Sequence, residues 1–179
     1  MFENFDLISL FILAARISPI IFISIYAIDT IVHQSLNGLI FLGGLLPLYF
    51  TIYSIGSIIS WSTNISQASC DTISLAKVGR YFNIPLSIVT ITYLFGTLLY
   101  STIKPGLVRQ NIFIYVFFPI LILYLLYFEI RYNCSTLLTS ILAIVVGGGF
   151  GAGYFAALDE LKILNLDRPN IFYVNAWKY

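Results

Sequence analysis

The sequence predicts an all-α fold: a polytopic membrane helical bundle with about five transmembrane helices. Three observations carry this reading. Hydrophobic residues make up 59% of the 179-residue chain and charged residues only 9%, whereas soluble domains carry about 25% charge. A chain this poor in charge cannot cover a water-facing surface, and its mean hydropathy of +0.93 agrees. The apolar residues also fall into five runs of roughly the 20 residues that a bilayer crossing needs. These runs are apolar on all faces, so the alternation of a membrane barrel is absent. Backbone groups in lipid must be satisfied within their own segment, which makes each run a helix.

The first run extends from Leu7 to Ile28. The residues before it carry Glu3 and Asp6 and no Lys or Arg. A cleavable signal wants a basic start and a short apolar stretch, so this segment is expected to stay in the mature protein. Arg16 lies near its middle, where a charge costs roughly 2.5–3.5 kcal/mol on insertion scales. It reads either as a pairing residue in a polar cavity or as a structural or snorkelling cation. Ser18 and Pro19 follow, and a bend is expected there. His33, the only histidine, sits in a short turn before the second run, Leu36 to Ile59.

Residues 61–84 form the longest polar loop, with Cys70, Asp71, Lys77 and Arg80. The third run spans Pro85 to Thr102, the fourth Asn111 to Ile130 and the fifth Ser135 to Leu158. A tail, 159–179, is polar first and aromatic last. No repeat or second composition appears, so residues 1–179 read as a single integral membrane domain.

Five spans place the termini on opposite faces. The N-terminal face collects Lys77, Arg80 and Arg131; the other collects Lys104, Arg109, Lys162, Arg168 and Lys178. The excess favours the second face as cytosolic and the N-terminus as non-cytosolic. The net charge of +1 offers no field for nucleic acid.

Residues 145–153 read VVGGGFGAG. A phosphate-binding P-loop needs a Lys after its last glycine, and none follows Gly153. A dinucleotide loop needs a strand before it and a βαβ unit around it, which this long apolar run lacks. The helical reading fits better. Gly147 and Gly151 are four apart, as are Gly149 and Gly153, and small residues at that spacing let another helix approach closely. These four glycines are the expected helix-packing residues. The partner is open between a helix of this chain and one of another subunit, and a locally flexible span is the alternative. Phe150 is expected to point elsewhere.

Nothing in the residues marks a catalytic, cofactor or metal site. One histidine and two separated cysteines make no metal-ligand spacing. Cys70 and Cys134 fall on the same predicted face, where an oxidising compartment would permit a disulfide with Cα atoms within about 7 Å. Asn64-Ile65-Ser66 and Asn133-Cys134-Ser135 are glycosylation sequons close to predicted membrane ends.

Four stretches, ARISPIIF at 15–22, LNGLIFLGGLL at 36–46, NIPLSIVTITYLFGTLLY at 83–100 and the segment from Cys134 through the glycines to NIFYVN at 170–175, resemble an uncharacterised family of multi-pass membrane proteins from nucleocytoplasmic large DNA viruses. The resemblance spans most of the chain. It implies a virion inner membrane as the location, with a host endomembrane as the alternative, and the role expected of the chain is that of a non-enzymatic structural or assembly protein. Expected partners are the lipid bilayer, membrane or capsid proteins, or further copies of the chain. In layout such proteins are loosely similar to phosphatidic-acid phosphatases of type 2. Pro85-Leu86-Ser87 stands roughly where that class has PSGH, and Arg131 roughly where its third motif begins. The histidines are missing from both places, and a phosphohistidine mechanism needs one. A divergent lipid-phosphate protein is therefore one alternative, and an accessory subunit of a bioenergetic membrane complex is another.

Overall fold

The computed structural model describes residues 17–25, 27–28, 36–58, 84–131 and 134–161. Among the described residues every regular element is a helix: α1 (residues 17–25 and 27–28), α2 (Leu36–Ile58), α3 (Leu86–Ile103), α4 (Ile112–Arg131) and α5 (Leu137–Glu160). Helices α3, α4 and α5 are each long and apolar enough to cross a membrane, and within α2 the apolar helix Leu39–Ile55 is slightly shorter. Prolines inside α2 and α4, Pro47 and Pro119, interrupt neither. Each proline lacks the N–H that would reach the carbonyl four residues earlier, and within apolar bundles neighbouring groups and local adjustment compensate.

Helix α3 is the axis of the bundle. Two thirds of its length is buried inside the protein, against 22% for α4 and for α5. It is also the helix richest in hydroxyls, which would be costly in an apolar interior if left unpaired. Local bonding answers that cost. Thr90 donates to the Leu86 carbonyl at 2.8 Å, Thr97 to Leu94 at 2.8 Å, Ser101 to Leu98 at 3.0 Å and Thr102 to Leu98 at 2.8 Å. Each of these four hydroxyls folds back onto its own helix, so none is left unpaired where α3 packs.

Side-chain bonds between helices fix the directions. Thr92 approaches the Ala143 carbonyl at 3.4 Å near the start of α5, and Tyr100 donates to Asp159 at its end, so α3 and α5 run parallel. Tyr49 pairs with Thr90 at 2.9 Å while Tyr93 reaches back to Phe41 at 3.0 Å, so α2 is antiparallel to α3. Thr102 meets Tyr115 at 2.8 Å and Phe95 stacks on Phe118 at 5.7 Å, so α4 is antiparallel as well. On the outside, α4 shows Ile112, Phe113, Val116, Ile120, Leu123 and Tyr127, an apolar face suited to lipid.

The helix ends explain themselves locally. Past α3, Leu107 N–H donates to the Thr102 carbonyl and Gly106 N–H to Ile103, both at 3.0 Å. This is the Schellman closure, and it needs a left-handed residue; Gly106 supplies it with φ of 71°. At the start of α5, Thr136 and Thr139 form a reciprocal capping box, and Ser135 pairs with Ser140 at 2.8 Å.

Candidate functional site at the glycine-lined helix junction

The fifth run, expected over Ser135 to Leu158, is the continuous helix Leu137–Glu160 with the glycines in its middle. Gly147 and Gly151 are buried against α3. A β-carbon on Gly151 would overlap the Tyr93 carbonyl oxygen and lie 3.2 Å from the Thr97 nitrogen. One on Gly147 would overlap the Thr92 hydroxyl and lie 2.6 Å from the Val89 oxygen. Backbone atoms cannot step aside as a flexible side-chain tip can, so any larger residue must push the helices apart. The partner helix belongs to this chain.

Gly149 and Gly153 are placed differently. Both are exposed on the outer face of α5, and a β-carbon on either meets no atom within 4 Å. The physical reason is helical geometry: two residues turn the chain by about 200°, so the second pair cannot share a face with the first. Phe150 does not point elsewhere. Its ring lies 6.4 Å from that of Tyr93 and stacks on Tyr154 at 6.2 Å.

The groove also has members on other helices. A β-carbon on Gly96 of α3 would overlap the Gly148 carbonyl and lie 3.1 Å from Ala152 N. On α2, Gly44 makes room for two tyrosines, since a β-carbon there would overlap the Tyr93 hydroxyl and lie 2.6 Å from the Tyr154 ring. Those hydroxyls donate to consecutive carbonyls of α2, Tyr93 to Phe41 at 3.0 Å and Tyr154 to Ile40 at 3.3 Å. Tyr93 thus touches α5 through its backbone and α2 through its side chain. A glycine isolated in an apolar run was the available signal for Gly96.

At the far end of the groove the bundle holds an ionic cluster. The Asp159 carboxylate, its side chain 7% exposed, forms a salt bridge with Lys104, whose side chain is 45% exposed. The same oxygen accepts from the Tyr100 hydroxyl at 3.0 Å. Tyr100 in the last turn of α3 and Lys104, which caps it, stand four apart and so present together to α5. Parallel helices bring two partial negative ends to one face, and Lys104 offsets that charge together with the carboxylate's. The sequence reading missed this cluster, because nothing in the chain order joins Asp159 to residues 55 and more positions earlier.

Of the remaining candidates, Cys134 is disulfide-bonded, while Cys70 lies outside the described residues. Arg16, His33 and Asn64 also lie outside them. Pro85 and Ser87 open α3 and Arg131 closes the antiparallel α4, which places all three at one end of the bundle. No buried side-chain nitrogen or oxygen among the described residues lacks a hydrogen-bond partner. No known family model matches the chain, and neither a characterised protein nor a solved structure is similar to it.

Proposed function

We propose that the chain is a multi-pass integral membrane protein whose role is structural: it packs in the bilayer as a rigid bundle and serves assembly with membrane or capsid proteins or with further copies of itself. The observation that carries this reading is the use made of the interior. Gly96, Gly147 and Gly151 serve close packing on backbone, and the buried hydroxyls serve helix-to-carbonyl or helix-to-helix bonds. The cluster most able to do chemistry, Asp159 with Lys104 and Tyr100, is turned inward as a clasp. The resemblance to the viral membrane family supports a virion inner membrane as the location.

Five spans with a non-cytosolic N-terminus is the topology this proposal takes. Two features support it: the Cys134 disulfide, which favours an oxidising compartment at the start of α5, and the cations Lys104 and Arg109 at the opposite end.

The test is purification from native membranes in a mild detergent, followed by identification of what accompanies the protein. Capsid or virion membrane proteins, or a defined homo-oligomer, are the expected companions. Stoichiometric recovery with respiratory-chain subunits, or turnover of a lipid phosphate by the purified protein, would overturn the structural role.

A further inference from the structure

We propose that Asp159 is a positioning residue that selects which face of α5 packs on α3. The choice is a real one. Helix α5 carries three ridges of small residues at four-residue spacing: Gly147–Gly151, Gly148–Ala152 and Gly149–Gly153, the last continued by Ala157. The first lies in the groove of α3 and the second meets Gly96 at its edge, whereas the third has open space above both its glycines. Turning α5 about its axis by roughly 160° would exchange them. In water, burying the more apolar face would decide the matter. In a bilayer, lipid tails are as apolar as leucine, so hydrophobicity does not rank the two faces. The four-residue glycine spacing alone would accept either ridge.

The Asp159 carboxylate does rank them. In the observed rotation it is nearly buried, bonded to Tyr100 and paired with Lys104. In the exchanged rotation it would leave both partners and point away from α3. Lys104 is half exposed and reaches water without Asp159, so the selection rests on the carboxylate. A single buried polar group that fixes register is the best-attested use of such groups. The same rotation would break the Tyr154 bond to α2, but that bond joins neutral groups, and hydrogen bonds to an ionised group such as Asp159 are roughly twice as strong. The inference concerns packing within one chain and stands whether or not the assembly role holds.

The experiment is a set of thermal melts on the full chain in lipid nanodiscs. Gly151→Ala and Gly149→Ala are each made in the natural sequence, in Asp159→Leu and in Tyr100→Phe. In the natural sequence, Gly151→Ala lowers Tm by several degrees and Gly149→Ala does not lower it. Gly149 lies about 15 Å along the helix from Asp159, and sites that far apart normally act additively. The proposal expects non-additivity. In Asp159→Leu the gap between the two glycine variants shrinks by at least half, because Gly149→Ala becomes harmful as its ridge enters the groove. Tyr100→Phe shrinks the gap less, and it supplies the reading if Asp159→Leu fails to fold. Rescue by Asp159→Glu, with the gap restored, is expected. A gap of unchanged size in both backgrounds would show a clasp that only adds stability, and the selecting role would be overturned.

Discussion

Gly151 lies directly on the backbone of Tyr93: a β-carbon there would stand 3.1 Å from the Tyr93 carbonyl carbon and overlap its oxygen. The two helices therefore meet through main chain near their middles. Gly151→Leu is expected to destabilise by more than the roughly 1–3 kcal/mol typical of overpacking. Phe150→Leu is expected to cost less, though not nothing, because that ring stacks on Tyr154. Melting temperatures of the two purified variants decide the order; Gly151→Leu as stable as the natural protein would contradict the packing.

Gly44 tests the same junction from α2. Its missing β-carbon holds the Tyr93 hydroxyl and the Tyr154 ring. Gly44→Ala should lower Tm more than Tyr93→Phe, which removes one hydrogen bond worth about 1 kcal/mol and leaves the ring in place. The reverse order would mean that the tyrosines, and not the close approach, hold α2.

The ionic clasp gives an asymmetric expectation. Lys104→Met leaves a nearly buried carboxylate with only Tyr100, and truncating one partner of such a pair strands the other charge. Asp159→Leu leaves a lysine that reaches water. Lys104→Met should therefore be the more damaging of the two in chemical denaturation, and equal losses would argue that the pair is solvent-screened.

Cys134 is disulfide-bonded, so a maleimide should label it only after reduction. If its partner is Cys70, the serine variants of either residue and of both should be equally destabilised, each by about 2–5 kcal/mol. Mass spectrometry of the unreduced protein reads the pairing directly. A cross-link to a second chain would replace the intramolecular bond with an assembly contact.

Topology can be read with introduced cysteines. Arg109 precedes α4 and Arg131 ends it, a separation of about 30 Å along a 20-residue helix. An impermeant label should reach Arg109→Cys and Arg131→Cys from opposite sides of sealed vesicles. Labelling of both from one side would mean that α4 does not cross.

The sequence by itself determined the helices, three of them long and apolar enough to cross a membrane. Composition forced a membrane reading, and hydropathy placed α3, α4 and α5 within a few residues of their observed ends, because in lipid each segment must close its own hydrogen bonds. That rule is local, so it is legible along the chain. It also marked the VVGGGFGAG stretch as a packing element, since glycine's lack of bulk is a property of the residue alone. Only the tertiary structure decided which glycines do the packing. Gly147 and Gly151 face α3 while Gly149 and Gly153 face outward, although all four fit the same spacing. It also joined Asp159 to Tyr100 and Lys104, and Gly96 to Gly148. These are choices of rotation and of neighbour, and a hydropathy profile that is nearly uniform around each helix carries no information about either.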